Sequence, residues 1–169
     1  MKIVIAAIFL AACTSLTGDI EINIQGNPDI NLNKYKTYAW ADSAQVVFDP
    51  IGQWEKPTLD TDEEVRFVIN RELNKRGLYE VGHDPDLLIA FAAGVNTTVL
   101  KLKEDPEQGN KVLSNIPQAA LVITLIDTQI GYPVWSGYAI GTVQEQQPIE
   151  NIRARIDYAV TRIFSTFNK

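Results

Sequence analysis

The chain has 169 residues and only one cysteine, one histidine and one methionine. A lone cysteine excludes an intrachain disulfide, and one Cys with one His leaves no cluster at metal-ligand spacing. No Gly-rich phosphate loop and no Gly-x-Ser-x-Gly element occurs. Basic residues are few, with Lys+Arg at 15 against Asp+Glu at 21 and a net charge of -6. Affinity for nucleic acid rests on neutralising phosphates, so an acidic chain without a basic stripe excludes that partner. The same balance gives no attraction toward anionic lipid headgroups. Long apolar runs are missing too. The run from Ile3 to Ala12 would be about 15 Å long as a helix, against about 30 Å of hydrocarbon in a bilayer, so no transmembrane helix is expected.

What is present begins with composition. A hydrophobic fraction of 46% and a charged fraction of 21% belong to a folded globular domain and not to a disordered chain. At the N-terminus, Met1-Lys2 gives a positive start, Ile3 to Ala12 is apolar, and Thr14, Ser15 and Thr17 turn polar. That order is the pattern of an export signal. Its ending, Leu10-Ala11-Ala12-Cys13, resembles the lipobox of bacterial lipoproteins. The resemblance implies cleavage before Cys13 and lipidation of Cys13, with residues 1–12 a cleaved signal peptide and 13–18 a lipidated N-terminus and short tether. Thr14 in place of Asp resembles an outer-membrane address. The competing readings are an ordinary signal peptide with a chance cysteine, or a buried first strand. Loss of Lys2 with the signal makes the rest more acidic still, so the lipid alone would anchor. Several acyl chains suffice for that where one binds marginally.

Residues 19–169 read as a single α+β domain. Ile20, Ile22 and Ile24 alternate with polar residues, the period of a half-buried strand. Gly26-Asn27-Pro28-Asp29 breaks it, and Tyr35 to Trp40 reads as a second strand. From Ala41 to Leu59 there is no period, and Pro50, Gly52 and Pro57 punctuate the stretch. Its apolar residues either cap the core or, with Val47, Phe48, Ile51 and Trp54, form a contact patch for a partner. Thr61 with Glu64 predicts a capping box. Val65, Val68, Ile69 and Leu73 form one helical stripe, with Arg71, Glu72 and Lys75 on other faces, and Gly77 ends the helix.

Leu78 to Val81 leads through Gly82-His83-Asp84-Pro85 into a strand bulky at Leu87, Ile89, Phe91 and Val95. Asn96 to Lys103 continues it or pairs with it, 105–110 is a turn, and 111–117 shows no clear pattern. Ala120 to Asp127 and Val134 to Val143 form a hairpin, with the Trp135 ring expected over bare glycine backbone. Ala90, Ala92, Gly94, Gly137, Ala139 and Gly141 are expected to make one small face. Pro148 opens a last helix whose stripe is Ile149, Ile152, Ile156, Ala159, Val160, Ile163, Phe164 and Phe167. Arg153, Arg155, Asp157 and Arg162 are expected on its wet side. The expected fold is an antiparallel twisted sheet of about five or six strands with two helices packed on one face.

Tyr35-Lys36-Thr37-Tyr38-Ala39-Trp40, the strand opening Asp86-Leu87-Leu88-Ile89, and Ala120 to Asp127 followed by Val134-Trp135-Ser136-Gly137 resemble the lipoproteins of the domain-of-unknown-function 4136 (DUF4136) family. The similarity covers nearly all of the chain after the signal, though 43–59 and 103–117 match no element of the family. It implies a lipobox-anchored α+β envelope domain without established activity, and no catalytic residues carry over.

The residues themselves offer little chemistry. His83, Asp84 and Asp86 sit in one turn, too close in sequence to surround a metal ion, and Asp127 and Ser136 read as turn and pleat residues. No enzyme activity, cofactor or metal is expected. The expected function is an interaction or structural module of the outer membrane facing the periplasm, with an unidentified envelope protein as partner. The alternative is a carrier of a small apolar ligand between the sheet and its covering loops. An open cavity on the small face would favour the carrier, and a filled one the module.

Overall fold

The computed structural model describes residues 16–26, 31–41, 45–46, 59–96, 100–104, 111–115, 118–143, 147–165 and 167. The alternating isoleucines form β1 (Glu21–Gly26), and the aromatic stretch forms β2 (Thr37–Trp40). A two-residue β3 (Gln45–Val46) follows, then α1 (Thr61–Lys75) and the short β4 (Tyr79–Glu80). Long β5 (Leu87–Asn96) leads to the ribbon of β6 (Leu100–Glu104) and β7 (Lys111–Asn115). The chain ends with β8 (Gln118–Asp127), β9 (Pro133–Thr142) and α2 (Ile149–Phe164).

Six strands follow one another in the order β1-β9-β8-β5-β2-β4, and β3 pairs with β5 farther along its length than β2 does. The α+β architecture and the strand number agree with the sequence reading. The sheet, however, is mixed and not antiparallel throughout. β1, β9, β8 and β5 are antiparallel neighbours, whereas β2 and β3 lie parallel to β5, and β4 parallel to β2. The reason is the helix between β2 and β4. A helical crossover returns the chain to the end where it started, so the next strand runs the same way. The 111–115 stretch is a strand, held by pairing with β6.

Both helices lie on one face and pack on each other. Val65, Val68, Ile69 and Leu73 of α1 are buried with Ala159, Val160, Ile163 and Phe164 of α2 and with Leu87, Ile89, Phe91, Ile123 and Leu125 of the sheet. Trp135 stacks on Phe164 at 5.2 Å between ring centroids and meets Phe167 edge-on at 5.3 Å. Each such pair adds about 0.5–1.5 kcal/mol beyond area burial. The N-cap of α1 is Asp60, one residue before the expected Thr61, and its carboxylate accepts from the Glu63 N–H at 3.0 Å. Gly77, with φ of 71°, terminates the helix as expected.

The expected single small face does not exist. Ala90, Ala92 and Gly94 pair with Thr124, Val122 and Ala120 on the side away from the helices, where Ala92 and Val122 are exposed. Gly137 and Ala139 pair with buried Ile123 and Leu121 beneath the helices. The register sets β9 one residue out of phase with the expectation. Trp135 does lie over glycine: a Cβ on Gly137 would sit 3.1 Å from its Cη2, and one on Gly26 of the neighbouring strand 3.3 Å from its Cδ1.

Candidate functional site

Among the described residues, three polar clusters hold the sheet and helices together, one at each end of the sheet and one between the helices. At the end where β8 finishes, Asp127 is buried. One of its oxygens accepts from the Tyr35 hydroxyl at 2.6 Å and from Lys34 Nζ at 3.0 Å. The other accepts from the Gln129 N–H at 2.8 Å and the Ile130 N–H at 3.3 Å. The hydrogen bond from Tyr35 and those from Lys34 and the turn hold the Asp127 carboxyl well below the usual carboxylate range, against the opposing effect of burial. Burial and the bond to Asp127 push the Tyr35 phenol up. Beside it, Asp86 accepts the N–H groups of Lys36 at 2.7 Å and Thr37 at 2.9 Å, which lower its pKa. The Thr37 hydroxyl in turn accepts from the Asp86 N–H at 3.0 Å. These carboxylates fix where β2 begins between β4 and β5. A shallow open cleft lined by Asp84, Pro85, Asp86, Thr128 and Gln129 lies next to them.

Between the helices, Glu72 is buried, although the helical pattern put it on a polar face. It accepts from Lys75 Nζ at 2.8 Å, Arg76 at 2.9 Å and Arg71 at 3.0 Å. Burial alone pushes the Glu72 carboxyl up, and these three cations more than offset it, down to about 2. Arg71 reaches Asp157 of α2, and Arg76 donates to the carbonyls of Phe164 and Phe167, so it caps the C-terminal end of α2.

The third cluster lies where β9 ends. Arg155, expected on the wet side of α2, is only 14% exposed and grips Asp19 with both arms, at 2.7 and 2.8 Å. It also donates to the carbonyls of Leu16 and Thr142, while the Thr142 N–H donates to Asp19 at 2.7 Å. The bidentate bond from Arg155 holds the Asp19 carboxyl below its usual range, against partial burial. Gly141 provides the space, because a Cβ there would sit 2.9 Å from the Arg155 guanidinium. The sequence carries no local signal for this pairing, because Asp19 lies 136 residues from Arg155 along the chain.

Of the residues singled out in the sequence, Cys13 and the patch of Val47, Phe48, Ile51 and Trp54 lie outside the described residues. His83 is exposed in its turn, and Ser136 shares a 3.2 Å hydrogen bond with Thr124 across the β8–β9 pair. Among the described residues, no group of three or more His, Cys, Asp or Glu side chains is placed to hold a metal ion. None of the described helices is long and apolar enough to cross a membrane.

The profile of the family described as "Domain of unknown function (DUF4136)" matches residues 22–167. The chain belongs to the DUF4136 family. A solved DUF4136 family protein from Bacteroides thetaiotaomicron superposes with a TM-score of 0.56 at 13% identity, over 88% of this chain and 96% of that one. A PDZ domain protein from Parabacteroides distasonis gives 0.54 at 15% identity, over 88% of this chain and 36% of that one. The PelC dodecamer from Paraburkholderia phytofirmans gives 0.50 at 13% identity, over 86% of this chain and 95% of that one. At such identities the likeness is one of fold. No curated protein matches the chain. The DUF4136 domain therefore comes with a shared architecture and no assigned activity, and its polar clusters tie the strands and helices of this chain to one another.

Proposed function

We propose that this DUF4136 chain is a lipid-anchored protein of the bacterial envelope, held in the outer membrane through Cys13, with its domain in the periplasm as a non-enzymatic interaction or structural module. The observation that carries the reading is the Leu10-Ala11-Ala12-Cys13 ending of an apolar run placed directly before the family domain. Two features of the structure support the module over a carrier. The carboxylates of Asp19, Glu72 and Asp127 are engaged within the chain and not turned toward an empty site. The space beside Gly137 is filled by Ile163, Ile24 and Trp135, and that beside Gly141 by Arg155 and Ile20. Beside these two glycines there is no room even for a methyl group.

The test is fractionation of Cys13→Ala. The variant should lose its acyl chains and leave the membrane fraction on detergent-free washing; a variant as firmly bound as wild type would overturn the anchor. Thr14→Asp should shift the protein to the inner membrane on a density gradient, and an unchanged position would overturn the outer-membrane address. The patch of Val47, Phe48, Ile51 and Trp54 is the candidate contact for an envelope protein, since aromatic anchors dominate interfaces. Crosslinking in intact envelopes should give an adduct that Trp54→Ala weakens without lowering the urea midpoint. An unchanged adduct would retire the patch.

A further inference from the structure

The Asp19–Arg155 cluster has a consequence for how such a protein would sit on its membrane, and this step rests on the Cys13 anchor proposed above. From Leu16 onward the chain is fixed and is not a free leash. Leu16 and Asp19 are fixed by Arg155 to α2 and, through Thr142, to the end of β9. Cys13 precedes Leu16 by three residues, which reach at most about 10 Å. β8 has ten residues, so its two ends stand about 30 Å apart. A leash of that length keeps the end it leaves from within about 10 Å of the bilayer surface, while the other end of the sheet is free to stand about 30 Å farther out.

We infer that the Asp19–Arg155 clamp, by docking residues 16–19 against β9 and α2 a few residues after the lipidated Cys13, turns one end of the domain toward the bilayer surface. That end holds Thr142, the start of β8 and the first turn of α2, and the β6–β7 ribbon is attached there between Asn96 and Gln118. The opposite end, with Asp127, Tyr132 and His83, points away into solvent. The clamp substitutes for headgroup attraction, which an acidic chain lacks. An Arg gripping a carboxylate with two parallel bonds fixes direction as well as distance, which a flexible Lys would not.

The experiment uses the full acylated chain, made in a host that processes lipoproteins and reconstituted into phosphatidylcholine vesicles carrying a headgroup-attached nitroxide lipid. Ala119 and Tyr132 are both exposed and lie at opposite ends. Ala119→Cys and Tyr132→Cys are labelled separately with a small fluorophore, Cys13 being blocked by its acyl chain. Quenching should be several-fold stronger at 119 than at 132. Asp19→Asn, with its cooperative unfolding checked in urea, should bring the two values together. Equal quenching in the unaltered acylated protein overturns the orientation, a contrast that survives Asp19→Asn overturns the clamp as its cause, and both leave the anchor standing. A mass without acyl chains on Cys13 overturns the anchor reading and this inference with it.

Discussion

At Gly137 a single methyl group would be felt throughout the core. Its Cβ would fall 2.6 Å from Ile163 Cγ2 and 3.0 Å from Ile24 Cδ1, so the C-terminal helix or the first strand would have to move. Overpacking of this kind costs about 1–3 kcal/mol. Gly137→Ala should therefore lower the urea midpoint, while Gly82→Ala, where nothing lies within 4 Å, should leave it nearly unchanged. Equal midpoints for the two variants would contradict the close approach of α2 to β9. Glu72 presents the opposite problem, a charge that must be kept. It faces Arg71, Lys75 and Arg76 at once, and Glu72→Gln would leave those cations under-paired in a half-buried site. Breaking a buried pair from one side costs about 3–5 kcal/mol, and the exposure of Lys75 and Arg71 puts this case toward the lower end. Denaturant unfolding of Glu72→Gln beside Glu72→Ala reads the effect, and a wild-type midpoint in both would show the cluster to be dispensable.

At the scale of elements, α2 is the piece the sheet cannot do without. Ala159, Val160, Ile163 and Phe164 are buried, as is Phe167 just beyond the helix, and Trp135 rests on the last two rings. Each large side chain contributes roughly 1.5–3 kcal/mol, against a typical total of about 5–15 kcal/mol. A fragment ending at Gln147 should show no cooperative unfolding by circular dichroism; a soluble, cooperatively melting fragment would refute this. The stripe that makes α2 indispensable was legible in the sequence, because 3.6-residue periodicity reports burial directly. The direction of β2 and β4 was legible in principle too, since strand, helix and strand in succession imply parallel neighbours. It was missed because β4 is only two residues long and reads as a lead-in to β5. What the pattern could not give was the pairing of distant polar residues. Asp127 with Tyr35, Asp86 with Lys36 and Asp19 with Arg155 have no local periodicity to betray them, and Glu72 and Arg155 looked solvated because charge is usually outside.

For the whole molecule, those distant pairs, together with the Glu72 cluster and the buried tyrosines, make stability depend on pH from both sides. Asp19, Asp86 and Asp127 have folded pKa values below 3.8, and Glu72 falls from 4.5 to about 2. A carboxyl whose pKa is lower in the folded state binds fewer protons there than in the unfolded chain. Its contribution is fully present above the unfolded value and disappears as pH falls through the folded one. The window of loss thus opens near pH 4.5 and extends down to about 2 for Glu72. On the alkaline side, burial pushes the Tyr38 phenol up to about 12, and Tyr35 is raised as well. A group with a raised folded pKa stabilises below its unfolded value, here 10.0, and that stability is lost as pH climbs toward 12. The urea midpoint should be flat between pH 5 and pH 9 apart from small surface effects, and should fall steeply on both flanks. Asp127→Asn should flatten the acid flank, because its carboxylate no longer has a proton to take up, at the cost of a lower midpoint at neutral pH. An acid flank as steep in Asp127→Asn as in the wild type would mean that the Tyr35–Asp127–Lys34 cluster does not couple protonation to folding, and that the joint between β2 and the β8–β9 turn is held by packing alone.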